Sequence, residues 1–185
     1  MSSRVGSVTV RQLELRDVGL VASIDRSEHV DVEYVVTDGA LQERPVTIAD
    51  VPPWDVADTG SFSVPHHIEF CTAVLRDGGV LFGAFDDDAL MGLAIVDPEF
   101  EPEMAWFAFL HVTRPARRRG AATALWNETA RVARESGART MYVSATPTGS
   151  AVGFYLRQGC RLADPPHRDL YAKEPDDIHL VCSLD

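Results

Sequence analysis

The stretch from Leu110 to Trp126 most constrains the fold of this chain of 185 residues. It passes from an apolar strand pattern through an arginine cluster into small residues that open a helix near Gly120. The first N–H groups of a helix lack intrahelical partners and the helix dipole is positive there, so this end favours a bound anion. Gly120, Ala121 and Ala122 leave a phosphate a clear approach to those backbone donors.

The segments that follow extend this pattern. A strand is predicted over residues 138–145, and the helix predicted after it, over 149–160, carries Phe154 and Tyr155. The pattern Arg-x-x-Gly-x-Ala over residues 117–122 resembles the acyl-CoA pyrophosphate loop of the GCN5-related N-acetyltransferases, the GNAT family. The order of strand, arginine loop, helix, strand and Phe-Tyr helix is more specific than any single motif.

The resemblance implies a mixed α/β (α+β) fold in which a strongly bent central sheet is flanked by helices. It covers residues 81–159 well and fades toward the N-terminus. We therefore expect one domain over residues 1–185, with an acyl-CoA-binding core at about 80–160 and the acceptor side in the N-terminal half. The length and the 45% hydrophobic content suit one globular domain. No internal repeat or change of composition indicates a second one.

What the resemblance implies is acyl transfer from acetyl-CoA to an amine. In this family a strand diverges from its neighbour at the pyrophosphate loop, and its unpaired groups hold the pantetheine arm. We expect the acyl-CoA contacts on this strand, in the loop, in the first helical turn and on the Phe-Tyr helix. These positions are Leu110, Val112, Arg117, Arg118, Arg119, Gly120, Ala121, Ala122, Thr123 and Phe154.

Tyr155 matches the family position that commonly donates a proton to the sulfur of CoA. A phenol can protonate a departing thiolate when it lies within hydrogen-bond reach. The alternative is that Tyr155 packs with Phe154 as an aromatic side chain on the helix face.

The base that takes a proton from the amine is less well defined. Family members with a Glu or His on the central strand place it where this chain has Trp106, and an indole cannot accept a proton. His111, near the end of that strand, is one candidate, because an unperturbed imidazole pKa of about 6.5 suits a base. Glu103, before the strand, and Glu33, on a predicted hairpin, are the others, acting through water. A solvated strand end is the alternative for Glu103.

The acceptor contacts are expected from Glu33, Tyr34, Trp54 and Trp106. The first two belong to a predicted hairpin whose second strand runs through residues 46–48, and Trp54 lies in a predicted loop. Aromatic side chains line small-molecule sites, although they fill cores more often. The acceptor itself, a small-molecule or peptide amine, does not follow from the sequence.

Two further interpretations remain. Trp106 at the base position is compatible with a non-catalytic acyl-CoA-binding or regulatory module. A nucleic-acid-binding protein is disfavoured, because the net charge is −11 and no recognition motif is present. The cysteine and histidine spacing gives no metal motif, so we expect no metal.

The three cysteines, Cys71, Cys160 and Cys182, are odd in number and widely spaced, so we expect reduced packing residues. The longest nearly unbroken apolar run, residues 104–112, is too short to span a bilayer, and residues 1–6 lack a signal-peptide apolar region. We therefore expect a cytoplasmic protein without membrane contact, either a monomer or a homodimer.

Overall fold

The computed structural model describes residues 8–47, 49–57 and 60–185. The strands are β1 (Val8–Leu13), β2 (Glu28–His29), β3 (Glu33–Thr37), β4 (Ala40–Arg44), β5 (Asp50–Val51), β6 (Val80–Asp86), β7 (Ala89–Glu101), β8 (Met104–Val112), β9 (Thr140–Ala145), β10 (Arg161–Leu162) and β11 (Ile178–Ser183). The helices are α1 (Val64–Arg76), α2 (Ala121–Glu135), α3 (Gly149–Arg157) and α4 (Arg168–Lys173), with 3-10 helices at Leu15–Ser23 and Arg114–Ala116. The expectation about a signal peptide in residues 1–6 falls outside the described residues.

Within the described residues, seven strands form a mixed sheet in the order β1-β6-β7-β8-β9-β11-β10. Neighbours pair antiparallel except β8 and β9, which are parallel and joined through α2. A parallel pair needs such a crossover, whereas the hairpins on either side need short turns. This mixed sheet, with helices beside it, confirms the predicted fold class.

The sheet opens between β8 and β9. Their ladder joins residues 104–106 to residues 140–142, and the described chain contains no later pair between these strands. Beyond Trp106, β8 continues beside β7 while β9 continues beside β11. Because the two strands are parallel, the resulting cleft widens toward the C-terminal ends of both. We call this space the cleft.

Helices cover both faces of the sheet. On one face, α2 and α3 pack their apolar side chains, such as Leu125, Trp126 and Tyr155, against the strands. On the other face, the first 3-10 helix, α1 and α4 contribute a second apolar cluster that includes Cys71 and Leu170. Removing a large apolar side chain from water in such layers stabilises the fold by about 1.5–3 kcal/mol. The strand β8, covered on both faces, is accordingly apolar along its length.

The predicted hairpin is formed by β3 and β4, which pair from Glu33 with Arg44 to the turn at residues 38–39. β4 ends at Arg44 rather than reaching residues 46–48, because Pro45 has no N–H to donate to a ladder. Ile48 lies outside the described residues.

This hairpin is anchored to the cleft through its N-terminal end. The N–H of Tyr34 donates to Pro147 O at 2.9 Å, and the N–H of Gly149 donates to Val32 O at 2.7 Å. A Cβ on Gly149 would lie 3.1 Å from Val32 Cβ, so this close approach favours glycine. The N-terminal part of the chain is thereby fixed to the loop that follows β9.

The expectation of reduced cysteines is wrong for two of the three. Cys160 and Cys182 form a disulfide bond. The register of β10 with β11 explains it, since Arg161 pairs with Val181 and the preceding and following residues then face each other. Cys71 is free and buried, and this burial raises the pKa of its thiol to about 12.

None of the helices in the described part of the chain is long and apolar enough to cross a membrane. The described residues also contain no group of three or more His, Cys, Asp or Glu side chains that could hold a metal ion.

Candidate active site

The start of α2 has the open geometry that the sequence predicts. Gly120 precedes the helix with a φ of 89°, a left-handed conformation that glycine adopts without strain. The first intrahelical donor is Ala124, whose N–H lies 2.9 Å from Gly120 O. The N–H groups of Ala121, Ala122 and Thr123 therefore have no intrahelical acceptor. A Cβ on Gly120 would meet no atom within 4 Å, so the approach to these donors is clear.

Arg117 turns inward from this loop. Its Nε donates to Val112 O at 3.2 Å and its Nη2 donates to Arg26 O at 2.9 Å. Its Nη1 lies 3.4 Å from a carboxylate oxygen of Glu28. The guanidinium thus holds the loop against β8 and against the segment before β2, a positioning role that differs from the predicted phosphate contact.

Arg118 and Arg119 remain exposed at the mouth of the loop. Arg118 has a φ of 61°, which turns the chain toward the start of α2. Arg119 forms an ion pair with Asp86. Together with the positive end of the α2 dipole, these side chains place positive charge around the loop.

Beyond Trp106, the backbone of β8 presents polar groups to the cleft that pair with no described residue of β9. Thr113 N–H donates to Met91 O at 2.9 Å, and alternate residues of an antiparallel strand direct their backbone groups to the same side. Residues of β8 that bond to β7 therefore alternate with Leu110 and Val112, whose N–H and C=O groups point toward the cleft. Arg117 occupies the Val112 carbonyl, which leaves the two N–H groups for a ligand.

A register shift bends β8 next to these groups. Phe109 is opposite Ile95, whereas Phe107 is opposite Val96, so Ala108 is an extra residue in the ladder. Such a bulge bends its strand and is common beside active sites. It lies just beyond the last pair of β8 with β9, where the cleft begins.

Tyr155 approaches the bulge in β8 from the face of the sheet that α2 and α3 cover. Its ring centroid lies 6.1 Å from that of Phe107 and 5.9 Å from that of Trp126. Burial raises the pKa of its phenol well above the ordinary value, and the negative charge of Asp177 acts in the same direction. The phenol therefore stays protonated at neutral pH. Phe154 is partly buried beside it.

Asp177 is a residue that the sequence analysis missed. It precedes Ile178, which pairs with Ala145 at the end of β9, so it lies at the wide end of the cleft. Burial raises the pKa of its carboxyl to about 7, and the charges of Glu174 and Asp176 add to this effect. No motif distinguishes this aspartate from the other acidic residues of the turn.

A hydrogen-bond network holds the turn that carries Asp177. His179 Nε2 lies 2.9 Å from the carbonyl of Glu174, which can only accept, so Nε2 carries a proton. In the neutral ring, Nδ1 then accepts from the Tyr142 hydroxyl at 2.9 Å. The same hydroxyl accepts from the N–H of His167 at 2.9 Å. Both ends of α4 are therefore tied to β9 and β11.

His111 lies on the opposite face, in an aromatic cluster with Trp54, His67 and Phe109. Its ring centroid is 4.8 Å from that of Trp54 and 6.3 Å from that of His67. Burial lowers the pKa of His111 to about 3, and the positive charges of His67, Arg26 and Arg117 act in the same direction. His111 is therefore neutral at ordinary pH and a weaker base than an unperturbed imidazole.

The two candidate glutamates lie elsewhere. Glu103 is in the turn between β7 and β8, 3.0 Å from Arg139 Nε, at the closed end of the cleft. Seven residues of extended strand, about 23 Å, separate it from Leu110. Glu33 is 5% exposed, and its carboxylate accepts from Arg44 and Thr47. Neither placement gives a free base beside the cleft-facing groups of β8.

The predicted acceptor aromatics are dispersed. Trp106 is buried at the closed end of the cleft, against Phe70 and Phe100. Tyr34 is partly buried on the hairpin, and Trp54 belongs to the cluster around His111. The structure thus brings Trp54 and His111 together, and Trp106 belongs to the same apolar cluster as Trp54, whereas Tyr34 packs against the cluster on the other face.

Comparison with known proteins places this architecture in a family. Residues 48–160, more than half of the chain, match the sequence profile of the Acetyltransferase (GNAT) family. A search of curated proteins finds no match.

Three solved structures share the fold over nearly their whole length. Nourseothricin acetyltransferase superposes with a TM-score of 0.70 at 21% identity, covering 96% of this chain and 99% of the other. A candidate streptothricin acetyltransferase from Bacillus anthracis, in complex with acetyl coenzyme A, gives 0.63 at 15% identity, covering 98% and 100%. The paia N-acetyltransferase from Thermoplasma acidophilum, in complex with coenzyme A, gives 0.60 at 12% identity, covering 96% and 99%.

These observations agree on one assignment. The family profile spans the strand, arginine loop and helices that form the cleft, and the solved structures repeat the whole fold. An enzyme is favoured over the non-catalytic module that Trp106 left open. The chain belongs to the GNAT family and is an acyl-CoA-dependent acetyltransferase that acts with acetyl-CoA.

Proposed function

We propose that this protein transfers the acetyl group of acetyl-CoA directly to an amine, with Tyr155 as the general acid. The observation that carries the proposal is the opening of the sheet after Trp106. Cleft-facing N–H groups of β8, the open start of α2 and the buried Tyr155 all border that opening.

The residues around the cleft fit acetyl-CoA. Backbone N–H groups of residues 121–123 would hold the pyrophosphate, and Arg118 and Arg119 would balance its charge. The cleft-facing N–H groups of Leu110 and Val112 would hold the pantetheine arm and the acetyl carbonyl. Bound acetyl-CoA supplies an acetyl group already activated as a thioester.

Direct attack needs a protonated group beside the departing sulfur. Tyr155 meets this need, since burial raises the pKa of its phenol and keeps the proton in place until negative charge develops nearby. As the new C–N bond forms and the C–S bond breaks, Tyr155 Oη gives its proton to sulfur. The acylated nitrogen gives its extra proton to water, and Tyr155 regains a proton from solvent before the next turnover.

The attacking amine must first lose a proton. We assign this step to Asp177, through water, because its pKa of about 7 lets it accept a proton near neutrality at the wide end of the cleft. His111, with a pKa of about 3, would remain a poor proton acceptor. Asp177 then releases its proton to solvent.

Acetyl-CoA binding tests the first step of this proposal. At an acetyl-CoA concentration one hundred times its Kd, the free energy of unfolding should rise by about 2.7 kcal/mol. In Gly120→Glu, the carboxylate would stand in front of the α2 donors and repel phosphate, so this stabilisation should disappear.

Gly137→Glu is the matched control. Gly137 follows the other end of α2 with a φ of 93°, and a Cβ there also meets no atom within 4 Å. Both variants carry the same backbone strain and the same added charge. Equal stabilisation of both by acetyl-CoA would refute the assignment of the loop.

A further inference from the structure

We propose that Arg26, Trp54 and His67 form an anion subsite beside the cleft that binds the carboxylate of the acceptor, and that the acceptor is therefore of the amino-acid class. This inference rests on the proposed function, because it concerns the molecule that supplies the amine.

Arg26 is the first observation. It is partly buried, yet within the described residues its guanidinium makes no hydrogen bond and lies within 4 Å of no carboxylate. The guanidinium carbon lies over the ring of Phe62, 5.0 Å from the ring centroid. Glu28 acts on it from a distance but is paired with Arg117. A partly desolvated guanidinium without a carboxylate is prepared to receive one.

The second observation is independent of charge. Trp54 Nε1 and His67 Nε2 are both buried and have no hydrogen-bond partner among the residues that the structure describes, and Trp54 as a whole is only 5% exposed. Their rings are in contact, with centroids 4.7 Å apart. A buried polar atom without a partner lowers the stability of the folded protein. A ligand that supplies oxygen acceptors would offset this cost.

The electrostatics of the cluster favour an anion. Burial is the main cause that lowers the pKa of His67 to about 4 and of His111 to about 3, and the charge of Arg26 contributes to both. The rings are neutral at ordinary pH, so Arg26 supplies the positive charge. The N-terminal end of α1, which begins at Val64, adds positive potential.

The position of the cluster links it to the reaction. His111, in ring contact with Trp54, is the strand neighbour of Leu110, whose N–H faces the cleft. Neighbouring residues of a strand are about 3.4 Å apart. A small molecule with its carboxylate at Arg26 can therefore extend its amine toward the cleft.

The charges of the acceptor narrow its chemical class further. An amino acid carries one ammonium and one carboxylate, so it offers an amine to the cleft and an anionic group to the subsite. A polycationic acceptor without a carboxylate would gain no binding affinity from the Arg26 guanidinium.

The test compares acceptors that differ by one carboxylate. Turnover is measured with the standard amino acids, with the amines that correspond to them without the carboxylate, such as cadaverine for lysine, and with nourseothricin. We expect at least one amino acid to exceed its decarboxylated counterpart at least tenfold in kcat/KM. In Arg26→Gln this preference should fall at least tenfold, mainly through KM.

Two controls make the result specific. Arg16→Gln removes an exposed arginine that pairs with Glu14 and should leave the preference unchanged. Trp54→Phe keeps the ring and removes the N–H, so we expect a smaller rise in KM for amino acids. The backbone carbonyl of Arg26 still accepts from Arg117 in Arg26→Gln, so acetyl-CoA should stabilise this variant as it does the wild type.

The outcomes separate the two proposals. If acetyl-CoA does not stabilise the wild-type protein, the proposed function itself fails. If acetyl-CoA stabilises it but amino acids are not acetylated, or are acetylated no better than the amines or nourseothricin, the carboxylate subsite is refuted. An unchanged preference in Arg26→Gln would also refute it.

Discussion

The two sides of the cleft are built from different parts of the chain. The proposed acyl-CoA side uses backbone N–H groups of β8 and of the first turn of α2, fixed by regular elements that are adjacent in sequence. The proposed acceptor side uses side chains of Arg26, Trp54 and His67, which come from three separate segments. A site made of backbone depends on local sequence, whereas a site made of side chains depends on how distant segments pack.

Replacing Arg117, which links the acyl-CoA side to the acceptor side, should cause the largest loss in the free energy of unfolding. Arg117→Ala removes the hydrogen bonds to the carbonyls of Arg26 and Val112 and leaves the partly buried Glu28 without its partner. Unpaired polar groups of this kind cost about 1–3 kcal/mol each, so we expect a loss of about 3 kcal/mol in the free energy of unfolding. Urea unfolding measures this change.

Arg119→Ala is the comparison for this variant. Arg119 is half-exposed and pairs with Asp86 on the surface, an interaction worth less than about 1 kcal/mol. If the two variants lose the same stability, Arg117 does not join the two sides of the cleft.

Tyr155→Phe should lower turnover without changing the acyl-CoA side. The substitution removes only the hydroxyl, and the packing against Phe107 and Trp126 remains. Loss of a general acid typically lowers the rate about 100-fold, which corresponds to about 2.7 kcal/mol. Stabilisation by acetyl-CoA should not change.

Tyr171→Phe provides the control, because Tyr171 is an exposed tyrosine of α4. Steady-state kinetics of both variants with one acceptor decide the point. Equal kcat for Tyr155→Phe and the wild type would leave Tyr155 as a packing residue, the alternative that the sequence left open.

The acyl-CoA side was the more predictable from sequence because its geometry is local. Gly120 with two alanines predicts an open helix start, and the structure has one within a single turn. The continuous apolar run predicts a strand covered on both faces, and β8 is that strand. Even here the side chain of Arg117 was misjudged, since its partner Glu28 lies far away in sequence.

The remaining features depend on contacts that no local pattern encodes. The low pKa of His111 follows from burial beside Trp54, a residue of a distant loop. Glu103 was a candidate base by sequence proximity to the strand, but its turn lies at the closed end of the cleft. The disulfide follows from a two-residue ladder between β10 and β11, which is too short to predict.

Asp177→Asn should give a smaller change in stability whose sign depends on pH. The folded protein raises the pKa of this carboxyl from 3.8 to about 7, so between these values it binds more protons than the unfolded chain. The contribution of this carboxyl to the free energy of unfolding therefore falls as pH rises from about 4 to about 7. His67 and His111 have the opposite dependence, because their lowered pKa values cost stability as pH falls below about 6.5.

The Asn variant removes the cost of the buried charge. The full change in the pKa of Asp177 corresponds to about 4 kcal/mol of free energy. Solvent near this partly exposed carboxyl screens its charge and reduces that free energy. We therefore expect Asp177→Asn to be more stable than the wild type by about 2 kcal/mol at pH 8. At pH 4 the difference in stability should nearly vanish, since the wild-type carboxyl is then protonated in the folded protein and partly protonated in the unfolded chain. Asp88→Asn, at an exposed turn, should change stability little at either pH.

The same variant decides which side of the cleft supplies the base. If Asp177 accepts the amine proton, kcat/KM of the wild type should decline below about pH 7, and this decline should be absent from the residual activity of Asp177→Asn. A decline that persists in Asp177→Asn and is lost in His111→Asn would return the role to the acceptor side. The stability difference at pH 8 would then remain as evidence of the buried carboxyl, because it depends on burial and not on catalysis.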